Sequence, residues 1–127
     1  NNAGFSSGDS TWLPIEKDYK SINAQSAQHD SSSIYYSTQR LLFLRNTLLP
    51  LKEGELTMLN KKQLPRGVIG YTRSFRGEIV TVYINFSKQQ KVIQHACGSS
   101  LLLTLNTTDS IQNGQITLSR RSAVITK

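Results

Sequence analysis

Cysteine is nearly absent: Cys97 stands alone among 127 residues, so no internal disulfide can hold this chain together. That favours a reducing compartment, and a bacterial cytoplasm is the expected setting, with periplasm or secretion as alternatives. Histidine is almost as scarce, with His29 and His95 alone. A Ser-His-Asp triad needs a histidine beside its nucleophile, and a zinc site needs four ligands at short spacings. His95 and Cys97 supply half of a metal site and nothing completes it, so no metal and no cofactor is expected. Long apolar runs are missing too; stretches such as Leu41–Leu44 are far too short to cross a bilayer. The chain opens on Asn1-Asn2, with neither an initiator methionine nor a secretory signal, and reads as a piece of something longer.

Acidic residues are outnumbered, 8 against 15 lysines and arginines, giving a net charge of +7. A nucleic-acid or acidic-membrane surface would gather that surplus into a patch. Here the densest groups are pairs, Lys61-Lys62 and Arg120-Arg121, so the charges read as a solvated surface and neither partner is expected. With 37% apolar and 18% charged residues, the composition is that of a folded protein rather than a disordered one.

Residues 1–31 are rich in Asn, Ser, Gly, Asp and Gln, with scattered large anchors: Phe5, Trp12, Leu13, Ile15, Tyr19 and Ile22. No period survives, and an irregular arm is expected whose apolar side chains need a partner surface. From Ser33 to Leu49 the pattern turns helical. Ile34, Leu41 and Leu48 recur every seven residues, as do Tyr35, Leu42 and Leu49, with Leu44 between them. Ser31, Ser32 or Ser33 can cap this helix and Pro50 is expected to end it.

Beyond Glu55 the texture is that of short strands: Glu55–Leu59, Val68–Phe75, Glu78–Phe86, Lys91–His95, Leu101–Leu105, Gln115–Leu118 and Ala123–Thr126. Arg76-Gly77 and Asn113-Gly114 sit where tight hairpins require residues tolerant of positive φ. The expected class is mainly β, an antiparallel sandwich or barrel preceded by an irregular arm and one helix.

No catalytic constellation emerges from the residues. Glycoside hydrolysis uses two carboxyl groups flanking the bond, and the acidic inventory is Asp9, Glu16, Asp18, Asp30, Glu53, Glu55, Glu78 and Asp109. None of these has a catalytic context. Gly67, Gly70 and Gly77 match no phosphate loop, and Arg66–Tyr71 echoes an RNA-binding strand without its paired aromatics. Trp12 and Tyr19 are candidates for a sugar-stacking platform, weighed against simple packing of the arm. Asn85-Phe86-Ser87 and Asn106-Thr107-Thr108 match the glycosylation acceptor pattern.

An ordered set of motifs then carries a resemblance. Asn2-Ala3-Gly4-Phe5-Ser6, Trp12-Leu13-Pro14-Ile15 and Tyr19-Lys20 are followed by Ser33-Ile34-Tyr35-Tyr36 running into Leu41, Leu44 and Arg45. Gly54-Glu55-Leu56, Tyr71-Thr72-Arg73 and Val82-Tyr83-Ile84-Asn85-Phe86-Ser87 complete it. Together they resemble the last part of alpha-glucosidases of the oligo-1,6-glucosidase and maltase type, in the alpha-amylase superfamily of glycoside hydrolases. Leu118-Ser119-Arg120 departs from it, lacking the proline that often precedes the family's last strand.

The resemblance implies that residues 1–50 are the end of a (β/α)8 barrel, the loop after strand 8 plus the last helix. Residues 51–127 would form a C-terminal Greek-key β-sandwich. The catalytic carboxylates would all lie upstream, leaving no catalytic, cofactor, metal or assignable substrate-binding residue here. Asn2 and Phe5 would lie near the rim of the active site. The implied partner is the barrel of the same protein, and oligosaccharide would be a substrate of the whole. Two rival readings are a noncatalytic amylase-like subunit and a free carbohydrate-binding module.

Overall fold

The computed structural model describes residues 2–95, 99–106 and 111–127. The chain forms two compact units, residues 1–43 and 44–127.

The first unit is held by local hydrogen bonds and, among its described residues, has no buried side chain. It opens on a 3-10 turn at Asn2–Gly4 where three successive residues take positive φ: Asn2 at 51°, Ala3 at 52° and Gly4 at 85°. The arm is not wholly irregular, because a short helix α1 (Ala24–Gln28) lies within it. Asn23 makes that helix: its Oδ1 accepts from the Ser26 N–H at 2.8 Å, while its Nδ2 donates to the Tyr19 and Lys20 carbonyls. Five residues are too few to show a 3.6 period, so the pattern was invisible in the sequence. Helix α2 (Ile34–Thr47) follows, and of the three candidate serines Ser33 caps it: its Oγ accepts from the Tyr36 N–H and donates to the Ala27 carbonyl.

Pro50 does not end this helix. Helix α2 stops at Thr47, Leu48 is extended (φ −101°, ψ 111°), and α3 (Leu49–Glu53) begins with Pro50 in its first turn. A proline's missing N–H costs nothing there, since first-turn donors have no partner within the helix. The break precedes it, where the Thr47 hydroxyl donates back to the Leu44 carbonyl.

The second unit is an antiparallel sandwich. Its larger sheet orders β1 (Glu55–Met58), β2 (Val68–Phe75), β3 (Glu78–Asn85), β8 (Ser122–Thr126) and β5 (Leu101–Leu105), with β8 inserted between β3 and β5. The smaller sheet orders β4 (Lys91–Gln94), β7 (Gln115–Leu118) and β6 (Ile111–Gln112). Strand β6 was not foreseen; two residues form no recognisable run. Both expected hairpins are present, with φ of 49° and 85° at Arg76-Gly77 and 50° and 73° at Asn113-Gly114. Positive φ at both central residues matches the right-handed twist of the flanking strands.

Two cores lie on opposite faces of the larger sheet. On one face Val68, Tyr83 and Val124 meet Ile93, Ile116 and Leu118 of the smaller sheet. On the other, Val80, Val82, Leu103 and Ile125 meet Leu51 of α3, with Leu44 and Leu48 packed alongside. Strand β3 is therefore buried on both sides from Val80 to Tyr83, which is why its sequence is nearly continuously β-branched and aromatic.

Candidate functional site

The first unit carries a groove of about 720 Å³ lined by Phe5, Trp12, Leu13, Ile15, Tyr19 and Ile22 among others. Local bonds shape its walls. The Thr11 hydroxyl donates to the Leu13 carbonyl at 2.6 Å, and the Ser21 and Ile22 N–H groups both donate to the Asp18 carbonyl. At the opening turn, Asn2 Nδ2 donates to Ser6 Oγ and to the Gly8 carbonyl, so its side chain braces the loop that presents Phe5. Trp12 and Tyr19, the two candidate stacking aromatics, line the same groove, and Trp12 is 96% exposed.

Glu16 and Asp18 also line it, and both are exposed. A glycosidase acid sits in an enclosed apolar setting, whereas both of these carboxyl groups stand open to solvent. The surface is thus apolar and aromatic, fitted to covering by another surface or to the flat face of a sugar ring.

The second unit accounts for the remaining candidates. Asn85, first noted as a glycosylation acceptor, is 1% exposed and fully engaged. Its Nδ2 donates to the Gln89 carbonyl at 2.8 Å and the Ser119 carbonyl at 2.7 Å, with Leu118 at 3.4 Å. Its Oδ1 accepts from the Ser87 N–H at 2.9 Å and the Ser87 hydroxyl at 2.7 Å. Asn85 ties the loop after β3 to the end of β7, and its amide is not available to a glycosyltransferase. Asn106 is exposed and donates to the Arg121 carbonyl; Thr107 and Thr108 of that triplet lie outside the described residues.

His95 pairs with Tyr83. The Tyr83 hydroxyl lies 2.9 Å from His95 Nδ1, and the rings meet edge to face with centroids 5.5 Å apart. Burial pushes the Tyr83 phenol up and holds the His95 imidazole below its ordinary value. Cys97 and Asp109 lie outside the described residues, and among the described residues no group of three His, Cys, Asp or Glu could hold a metal ion.

Gly70 serves packing: a Cβ there would stand 2.7 Å from Leu59 Cδ1 and 3.0 Å from Tyr83 Cδ1. Sequence reasoning missed both the Asn85 hub and the Tyr83–His95 pair. The first hid inside a motif with a louder meaning, and the second joins β3 to the residue that follows β4 in the other sheet.

Comparison with known proteins places this geometry. Residues 1–54 match the family described as alpha amylase, catalytic domain. The chain is 31% identical over 111 residues to the glucan 1,6-alpha-glucosidase of Streptococcus dysgalactiae subsp. equisimilis, covering 87% of this chain and 20% of that one. It is 37% identical over 94 residues to maltase 1 of Drosophila virilis, covering 72% of this chain and 14% of the relative. Among solved structures, the trehalulose synthase of Pseudomonas mesoacidophila MX-45 superposes with a TM-score of 0.85 at 25% identity, over 99% of this chain and 23% of that one. The chain thus spans about a fifth of the length of proteins it matches.

Proposed function

We propose, for a chain that belongs to the alpha-amylase family, the role of noncatalytic end segment of an alpha-glucosidase acting on terminal alpha-glucosidic bonds of oligosaccharides. On this reading residues 1–50 complete the catalytic barrel, residues 51–127 brace it as a sandwich, and the reacting carboxylates belong to the upstream part. The whole protein works in the cytoplasm, without nucleic-acid or membrane partners, and this segment holds no metal or cofactor.

The observation that carries the proposal is the first unit itself. It presents Phe5, Trp12, Leu13 and Ile22 to solvent and, among its described residues, buries nothing, yet it lies within the stretch that matches the catalytic domain. Exposed clusters of this kind mark surfaces that another surface covers. The relatives' names, a glucan 1,6-alpha-glucosidase and a maltase, support the substrate class.

The test compares this chain alone with the full-length protein on maltose, isomaltose and a chromogenic alpha-glucoside. The full-length protein is expected to release glucose and the chain alone to release none. Glucose release by the chain alone refutes the noncatalytic assignment, and an inert full-length protein refutes the alpha-glucosidase reading.

A second reading, an oligosaccharide-binding module, draws on Trp12 beside Tyr19 in one groove. It predicts quenching of the single tryptophan's fluorescence when the chain alone is titrated with malto- or isomalto-oligosaccharides.

A further inference from the structure

The hairpin turn between β6 and β7 brings a reactive pair of residues together. Asn113 is the only asparagine in the sequence that glycine follows. An asparagine carboxamide is open to attack by the backbone nitrogen of the next residue, and that residue's side chain crowds the approach. Gly114 has no side chain. Asn85 and Asn106 are followed by Phe86 and Thr107, whose Cβ atoms stand in the way. Asn113 is also exposed, and among the described residues neither its carboxamide nor the Gly114 N–H has a hydrogen-bond partner. Strand β6 pairs with β7 at two positions alone, Ile111 with Ile116 and Gln112 with Gln115, so the turn opens locally at small cost. The carbonyl of the same Gly114 is committed elsewhere. It accepts from the His95 N–H at 2.8 Å, one residue beyond the Gln94–Gln115 pair that ends β4. His95 in turn meets the Tyr83 hydroxyl of β3 at 2.9 Å.

We propose that Asn113 is a self-modifying site, and that its conversion to isoaspartate frees His95 from the turn. The Gly114 nitrogen forms a bond to Asn113 Cγ and gives up its proton. The Cγ–N bond of the carboxamide breaks, and ammonia leaves with that proton, closing a cyclic succinimide. Water, the co-reactant, then opens the ring. Attack at Cγ gives aspartate, and attack at the Asn113 main-chain carbonyl gives isoaspartate. The net change is water gained and ammonia lost, with nothing oxidised or reduced. Isoaspartate carries the main chain through the side-chain carbon and adds a methylene to a two-residue turn. That turn requires positive φ at both residues, 50° and 73°, to match the flanking strands. The lengthened turn cannot keep the β6–β7 register and also hold the Gly114 carbonyl against the His95 N–H. The inference does not depend on the alpha-glucosidase reading.

The test ages the full-length protein in mildly alkaline buffer at physiological temperature. Peptide mapping locates isoaspartate, and amide hydrogen exchange reads the His95 N–H before and after. Two variants serve as controls. Asn113→Gly keeps a turn that tolerates positive φ but has no carboxamide to lose. Asn113→Asp, measured fresh, adds the negative charge without lengthening the main chain. Isoaspartate at position 113 is expected to accumulate ahead of conversion at every other asparagine, and His95 should lose most of its protection in the aged parent. Aged Asn113→Gly and fresh Asn113→Asp should keep that protection. Asn113 left intact while other asparagines convert would overturn the proposal, because the folded turn would then shield it. So would isoaspartate at 113 with His95 protection unchanged. Equal loss of protection in fresh Asn113→Asp would overturn it too, since charge rather than chain length would be the cause.

Discussion

Replacing Asn85 with alanine is expected to destabilise the sandwich by about 3–5 kcal/mol, several times what an ordinary surface substitution costs. The figure follows from the contacts. Alanine removes donors to the Gln89 and Ser119 carbonyls at 2.8 and 2.7 Å and the acceptor for the Ser87 N–H and hydroxyl at 2.9 and 2.7 Å. A typical hydrogen bond contributes about 1 kcal/mol net, and a buried polar group left without a partner costs about 1–3 kcal/mol. Gln89 and the Ser87 hydroxyl lie near enough to solvent to recover water, which trims the sum from its upper limit. Domains are stable by about 5–15 kcal/mol, so the variant keeps a narrow margin.

Asn85→Asp separates hydrogen bonding from size. It keeps the acceptor but sets a carboxylate against two carbonyl oxygens, so at pH 7 it is expected to be at least as damaging as alanine. Its carboxyl is then raised in the folded state above its unfolded value, near 3.9. The aspartate variant should therefore recover stability relative to the alanine variant as pH falls through that raised value. Urea unfolding followed by circular dichroism at several pH values measures both effects. An alanine variant within about 1 kcal/mol of the parent would refute the reasoning, because it would mean that water replaces the side chain without loss.

Two further outcomes concern single side chains. Gly70→Ala puts a methyl against Leu59, Tyr83 and Leu64 at 2.7–3.2 Å, and a loss of about 1–3 kcal/mol is expected in the same urea assay; no loss would mean that the leucines move aside freely. For His95, burial lowers the folded-state pKa below 6.5, so the unfolded chain binds the proton first as pH drops. Its contribution is therefore full above about 6.5 and lost as pH falls through the folded value. Unfolding midpoints from pH 7.5 to 5 should fall more steeply for the parent than for His95→Gln, and equal slopes would sink the assignment.

What could be read beforehand followed from periodicity and turn chemistry. The helix from Ser33, the main strands and both hairpins announced themselves through local spacing and glycine, and each is there. What stayed hidden depends on residues distant in sequence. Nothing local says that the Asn85 amide reaches Ser119, or that Tyr83 and His95 meet across two sheets. The helix breaks at Leu48 and not at Pro50, because a proline can open a helical turn as well as stop one, and Pro50 lies in the first turn of α3. The boundary at 50/51 is what the family resemblance implies; the compact units meet at 43/44, and Leu44 and Leu48 pack with the sheet core. For the candidate site, the apolar anchors of the arm were legible one by one, but their convergence on a single groove was not.

The placement of β8 has a consequence for biosynthesis. It follows every other strand in the chain, yet it sits inside the larger sheet, hydrogen-bonded to β3 on one side and β5 on the other. Ser100 and Lys127 exchange two backbone hydrogen bonds, at 2.7 and 2.9 Å, at the margin of that insertion. As the ribosome delivers the chain, β3 and β5 wait with open edges until residues 122–126 emerge. Open edges are where strands of different molecules join. A nascent chain stalled before Ser122 would expose two of them flanked by Val80, Val82 and Leu103, and should be a substrate for chaperones or proteases.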